Sequence, residues 1–322
     1  MRGCTQLRWV AGVILLLSWM PGCGEDDWEP PALPPPVSVY LVKPDSTGDF
    51  PTIQAALDSA ADGEIIELAD GTYAGDGNRD LDCGGKNLIV RSENRDPQVC
   101  IIDCAGSEAD PHRGFVFGAG EGRETVLEGV TITNGFHDNG GGIRCWGASP
   151  TLLNVVLSNN SATRGGGLYC AFSSPRVLGV TFYQNSATLG GGVACVTRSA
   201  PEFQNTTFCA NSSPDGACLF CRETSSPTLH LSILAYGADG EAVYCDDRYG
   251  VCQPVLTCCD VYGNAFGNWE GCIADQLGEE GNINENPLFC DRQDGDLRLQ
   301  DGSPCAGDGA CGPMGAWLSG CE

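Results

Sequence analysis

Between residues 126 and 262 short stretches alternate apolar and polar positions, and the alternation itself recurs at a fixed interval. Aligned on cysteine, Cys145, Cys170, Cys195, Cys221 and Cys245 fall 25, 25, 26 and 24 residues apart. Two positions before each stands an aliphatic residue: Ile143, Leu168, Val193, Leu219 and Val243. A second apolar row runs Leu152, Val177, Phe203, Leu229 and Leu256. A third pairs Val130, Val155, Val180, Thr206 and Leu231 with Ile132, Leu157, Phe182, Phe208 and Ile233. Apolarity at every second residue is the period of a strand. Glycine runs at 140–142, 165–167 and 190–192, and Ser-Pro or Ala-Pro pairs at 149–150, 174–175, 200–201 and 226–227, punctuate the strands with turns.

Three strands and their turns per 25 residues predict an all-β fold, a parallel β-helix of roughly nine coils. Stacking places equivalent residues about 4.8 Å apart. Inward aliphatics then form columns, the cysteines form another, and Asn160, Asn185 and Asn211 form a ladder that satisfies turn backbone groups. A single coil buries too little to offset the entropy of ordering its backbone, so stability belongs to the stack. Parallel neighbours in the cysteine column are set too far apart at Cβ for easy bridging. Buried thiols are expected there, with disulfides elsewhere; Cys100/Cys104 and Cys305/Cys311 are local pairings the spacing suggests.

An exposed first coil would be hazardous, and "TGDFPTIQAALDSAADG", 47–63, offers a cover. Ile53, Ala56, Leu57 and Ala60 share one helical face, and Asp62-Gly63 is a stop signal. Upstream, Arg2 and Arg8 precede an apolar run from Trp9 to Met20, too short to span a bilayer and suited to export. The run ends "WMPGC", which resembles the lipobox of bacterial lipoproteins. That resemblance implies removal of residues 1–22 and acylation of Cys23; ordinary cleavage and a soluble exported product is the alternative. Residues 23–37 are acidic and proline-rich, a tether between anchor and body. The solenoid is assigned to 38–310 and a short cysteine-containing tail to 311–322. Export together with 20 cysteines implies an oxidising compartment.

Three segments carry a family resemblance. "DSTGDFPTIQAALDSAADGEIIELADGTY" resembles the opening of right-handed parallel β-helix proteins of the pectin-lyase-like superfamily. The glycine runs followed by Phe182-x-x-Asn185 and Phe208-x-x-Asn211 resemble repeats of the polymorphic outer-membrane protein family. "NPLFCDRQDGDLRLQDGSPCAGDG" resembles the closing segment of bacterial exported β-helix proteins. The resemblance implies a right-handed solenoid. It leaves activity open, because the fold hosts lyases, hydrolases, esterases, epimerases and adhesins.

With 17 basic and 42 acidic residues, a net charge of −25, the chain repels nucleic acid and anionic lipid, and polyuronates too unless cations bridge them. Membrane contact is expected only through the lipid anchor. The outward rows of the repeat read Arg144, Tyr169, Ala194, Phe220, Tyr244; Thr151, Arg176, Glu202, Thr228, Val255; and Thr131, Val156, Thr181, Thr207, Ser232. None presents the paired carboxylates of a glycosidase or a basic cluster. Tyr169, Phe220 and Tyr244, with Trp146 beside them, form an aromatic stripe suited to sugar faces or a protein partner, or else packed under a loop.

Two local motifs carry other chemistry. "DPHR" resembles the Asp-Pro-His-acid motif of alginate epimerases, which makes Asp110 and His112 the catalytic candidates, with Arg113 in place of the acid. "DGNRDLD" spaces Asp76, Asn78, Asp80 and Asp82 as oxygen ligands for Ca²⁺, or as decoration of a solvated strand. No other cofactor is indicated. Cys218-x-x-Cys221 reads as part of the repeat rather than a redox pair, since Cys218 takes the place of Gly142, Gly167 and Gly192. The favoured expectation is a cell-envelope module, at the outer membrane or cell surface, that binds extracellular polysaccharide or a surface protein without catalysis. A polysaccharide lyase or epimerase working through loop 105–123 or 262–285 is the alternative, and a Ca²⁺-stabilised stalk the third reading.

Overall fold

A strand that is apolar at every second position has one face to bury, and this chain buries it by winding. The structure, a computed structural model, describes residues 37–307, 311–317 and 319–321. The export signal, Cys23 and the tether up to residue 36 lie outside the described residues. Each strand of the solenoid pairs in parallel with its equivalent one coil away. Sheet A contains nine strands, from Val39–Val42 to Val255–Thr257; sheet B contains eight and sheet C seven. The nine strands of sheet A count nine coils. A three-stranded sheet D (Phe136–Asn139, Ser161–Arg164, Ser186–Leu189) lies between sheets B and C in chain order.

The register matches the cysteine row: Cys145 pairs with Cys170, Cys170 with Cys195, Cys195 with Cys221 and Cys221 with Cys245. Leu152, Val177, Phe203, Leu229 and Leu256 likewise stack in sheet A. Phe182 and Phe208 stack with ring centroids 4.7 Å apart. Gly140, Gly165 and Gly190 adopt φ of 69°, 64° and 69° at the turn into sheet C, where a Cβ would strike a backbone carbonyl three residues on.

One row departs from the sequence reading. Thr207 pairs with Ile233 and Phe208 with Leu234, so Leu234 is the core residue and Ile233 points outward. Equating Leu231 with Thr206 assumed 25 residues where this coil uses 26, and a slip of one reverses every side chain. Ile233 is nevertheless fully buried, because the chain's last segment covers it.

Both ends of the stack are closed. The helix Ile53–Ser59, shorter than the predicted 47–63, buries Ile53, Ala56 and Leu57 against the first strands. Thr52 caps it by accepting from the Ala55 N–H, and Asn78 accepts from the Ile53 N–H at 3.0 Å. The Lys86 ammonium donates to the carbonyls of Leu57, Asp58 and Ala60, the favourable place for a cation. At the other end the 3₁₀ turn Gly271–Gln276, tied by Cys245–Cys272, sets Ile273 against the last coil beside buried Trp269.

From about residue 286 the chain returns as a hairpin, Phe289–Asp291 with Asp296–Leu299, and lies on the outer face of sheet B. Cys258–Cys311 fastens this strap to the body, and Cys290–Cys321 closes it on itself. Trp317 Nε1 donates to Thr181 Oγ1 and the Ala316 N–H to Thr207 Oγ1, both at 2.9 Å. Gly315 passes so close that a Cβ would lie 2.9 Å from Ile233 Cδ1. The threonine row expected to face solvent is therefore partly an internal contact.

Polar ladders satisfy the buried turns. Asn185 Nδ2 donates to the Leu157 carbonyl at 2.7 Å and to Asn211 Oδ1 at 3.0 Å, while its own Oδ1 accepts from the Asn160 N–H and Nδ2. The column skips Gly237 and resumes at Asn264, which bonds both the Gly237 N–H and the Leu234 carbonyl. A second ladder, Ser173, Ser199 and Ser225, links the turns from sheet C to sheet A.

Asn185→Ala leaves the Asn160 N–H buried without its partner and takes one of two donors from the Leu157 carbonyl, so a loss on the order of 1–3 kcal/mol is expected. Denaturant melts of the two proteins check it, and equal midpoints would contradict a supporting role for the ladder. Asp260 is fully buried beneath the strap, where Oδ1 accepts from the Glu285 N–H at 3.0 Å and Oδ2 lies 3.4 Å from Cys305 Sγ. Burial raises its pKa from 3.8 to about 7. The folded chain thus holds this proton more tightly than the unfolded chain. Its contribution is complete below pH 3.8 and is lost as pH rises through about 7, on the order of 4 kcal/mol in all. Asp260→Asn should raise the melting temperature at pH 8 relative to wild type and narrow the gap between pH 5 and pH 8. Melting curves with an unchanged pH dependence would refute this.

Candidate functional site

The residues joining the sheet-B strand Cys100–Asp103 to the sheet-C strand Phe115–Phe117 bring the two sequence motifs together. His112 Nδ1 lies 2.5 Å from Asp80 Oδ2, and Nε2 lies 3.2 Å from Asp110 Oδ2. The other Asp80 oxygen accepts from the Arg113 N–H at 3.0 Å. Arg79 reaches Asp76 at 3.0 Å and Asp110 at 4.0 Å, and donates to the Cys104 carbonyl. Both nitrogens of His112 are thus held against carboxylates. The arrangement clamps the inserted loop to the coil before it.

The same contacts engage the four candidate Ca²⁺ ligands separately. Asp76 turns to Arg79, Asn78 to the helix start, Asp80 to His112, and Asp82 accepts from the Gly84 N–H. The four side chains therefore have different partners. Among the described residues no three His, Cys, Asp or Glu side chains gather closely enough to hold a metal ion.

Beside the clamp a groove of about 410 Å³ opens over sheet D. Glu108 and Pro111 of the inserted loop form one wall, and Phe136, His137, Asp138, Thr163 and Thr188 lie among its lining. The Phe136 N–H donates to the His112 carbonyl at 2.7 Å, joining wall to floor. His137 Nδ1 accepts from the Asp138 N–H at 2.8 Å. Burial first, then the Arg113 charge, lower the His137 pKa below its ordinary value, so the ring is neutral near pH 7.

The predicted aromatic stripe divides. Tyr169 and Phe220 are buried in a cluster with Ala171, Ala194 and Val196 on the outer face of sheet C, with Leu189 and Tyr244 packed against it. The glycine turn from sheet D folds over this face: a Cβ on Gly190 would lie 3.0 Å from Phe220 Cβ. Tyr169 and Phe220 therefore cannot meet a ligand, and half-buried Tyr244 stacks on Phe220 at 6.0 Å.

Trp146 is different. It is 43% exposed and meets Phe172, 47% exposed, with centroids 6.0 Å apart. The Arg144 guanidinium lies 5.1 Å from the Trp146 ring and that of Arg198 lies 5.8 Å from the Phe172 ring. Sequence reasoning missed Phe172 because it stands just past the strand Leu168–Ala171, in a turn with φ of 51°. An aromatic where the flanking repeats carry Gly147 and Thr197 was the available signal. On sheet A the outward acid Glu202 is paired with both Arg123 and Arg176.

Stacked parallel coils around apolar columns, with an asparagine ladder at the turns, define a parallel β-helix of the pectin-lyase-like fold. Pectate lyase Pel9A shares it with a TM-score of 0.52 at 13% identity, over 88% of this chain and 98% of that one. A pectin methylesterase from carrot aligns with a TM-score of 0.44 at 12% identity, over 77% of this chain and 88% of that one. At 13% identity the likeness to the lyase is one of fold. No family model matches the chain, and no curated protein matches it in sequence.

The cysteine column is chemically quiet. Cys145, Cys170, Cys195 and Cys221 are fully buried thiols, and desolvation raises the pKa of each. Cys218 is another buried thiol and is not bonded to Cys221. Cys245 leaves the column to bond Cys272. The suggested local pairs do not form. Cys100 and Cys104, four residues apart in extended chain, are separated by about 13 Å, and both remain thiols. Cys311 joins Cys258, leaving Cys305 free. Iodoacetamide should spare Cys145, Cys170, Cys195 and Cys221 in the folded protein and label all four after unfolding. Peptide mass mapping reads this directly; labelling of any of the four in the folded state would contradict the column's burial.

Proposed function

We propose that this protein is an exported cell-envelope module that binds extracellular polysaccharide without turning it over. The observation that carries the reading is the Trp146–Phe172 ledge with Arg144 and Arg198 against its rings. Exposed rings on successive coils of a rigid sheet suit the apolar faces of sugars, and the guanidiniums add hydrogen-bond donors beside them. A protein surface bearing apolar side chains is the other partner such a ledge would accept.

Three disulfides accord with an oxidising compartment. Among the described residues no helix is long and apolar enough to cross a membrane. Acylation at Cys23 and the tether of residues 23–37 complete the proposal, placing the module on the outer membrane or cell surface. The lyase or epimerase alternative needs a histidine free to move a proton, and both nitrogens of His112 are engaged.

Retention on neutral and acidic polysaccharides, followed together with release of reducing or unsaturated ends, tests the reading. Binding without product is expected, weakened about tenfold or more in Trp146→Ala/Phe172→Ala. Turnover that disappears in His112→Ala would replace this reading with the enzymatic one. Retention indifferent to the double substitution would remove the ledge from it.

A further inference from the structure

The groove over sheet D is built differently from the ledge. Its floor crosses three coils, with His137 paired in register to Ala162 and Ala162 to Ala187. The following positions, Asp138, Thr163 and Thr188, therefore repeat at the coil spacing of about 4.8 Å and present a carboxylate and two hydroxyls in a row. Glu108 adds a second carboxylate from the wall. That wall is held in place by the His112 clamp, through Asp80 on one side and the Phe136 backbone on the other.

The hydrogen-bonding capacity of His137 is specified. With Nδ1 accepting from the Asp138 N–H, the neutral ring carries its proton on Nε2. Among the described residues Nε2 is a donor without a partner, on a residue that lines the groove. One fixed donor, two carboxylate acceptors and two hydroxyls that serve either way make a set matched to alcohol groups. An apolar ligand would leave these groups desolvated without partners. An anion would face Glu108 and Asp138, with Asp110 nearby, on a chain of net charge −25, while the neighbouring Arg113 is buried with its guanidinium donating to the Asn139 carbonyl.

We infer that the groove walled by Glu108 and Pro111 and floored by His137, Asp138, Thr163 and Thr188 is a second ligand site, selective for uncharged, hydroxyl-rich sugar. Carboxylates at Glu108 and Asp138 accept from sugar hydroxyls, His137 Nε2 donates to a sugar oxygen, and the threonines track the chain from coil to coil. This goes beyond the ledge reading, adding a site with its own chemistry and setting the charge of its ligand. It requires no contribution from Trp146 or Phe172.

The test uses the full chain carrying Trp146→Ala/Phe172→Ala, so that the ledge contributes nothing, and calorimetric titration with cellopentaose, xylopentaose, tetragalacturonate and spermidine. At least one of the two neutral pentasaccharides should bind. Its affinity should fall fivefold or more in both His137→Ala and Thr163→Val added to that background. Thr163 is exposed, so its substitution leaves the fold intact and separates lost contact from misfolding. Preference for tetragalacturonate or spermidine, binding by neither pentasaccharide, or affinity unchanged in both variants would each overturn the assignment. None of these outcomes depends on whether the ledge itself binds glycan.

Discussion

Coil-on-coil hydrogen bonding in a single register is the constraint from which the rest of this structure follows. Each strand's backbone groups are satisfied by the coils above and below, so every position faces its own equivalent one repeat away. A residue type that works once must work in a column. Asparagine does so because its amide both donates to a strand carbonyl and accepts from the next asparagine, and cysteine because a small thiol packs on a thiol. The same constraint punishes a miscount. One extra residue carries Ile233 to the outside of sheet B, where it would be an exposed apolar group without the strap.

A stack of this kind has two open ends and several outer faces, and the irregular segments deal with them. The helix with its Lys86 cap covers the first coil, while Cys245–Cys272 draws a 3₁₀ turn over the last. Cys245 leaves the column where there is no further coil to pair with. The returning strap then seals part of sheet B, and its two disulfides hold contacts that include few regular backbone pairs. Disulfides therefore gather where the repeat gives out, and thiols fill the regular interior.

Chemistry likewise collects where the repeat is interrupted. The inserted loop before Phe115–Phe117 is unmatched in neighbouring coils, and it brings Asp110 and His112 to Asp80. That meeting turns two suggestive motifs into a clamp and leaves a polar groove beside it. On the other side of the coil, Trp146 and Phe172 remain exposed because they stand at the end of their strands, beyond the glycine turn that buries Tyr169 and Phe220.

The primary sequence by itself determined the solenoid: the 25-residue period, the inward columns, the asparagine ladder and the covering helix are all readable from it, because each is a local pattern repeated in register. It also singled out Trp146, beside the aromatic stripe, and the "DPHR" stretch. Tertiary structure alone decided what these residues do. Which cysteines pair depends on where chain segments far apart in sequence meet, as Cys258 and Cys311 show. Whether an outward residue reaches solvent depends on what folds over it, which buried Phe220 and Ile233 and left Phe172 exposed. Periodicity records only contacts between a residue and its own equivalents. The groove, the clamp and the strap are contacts between unlike segments, and those exist only once the chain has been wound.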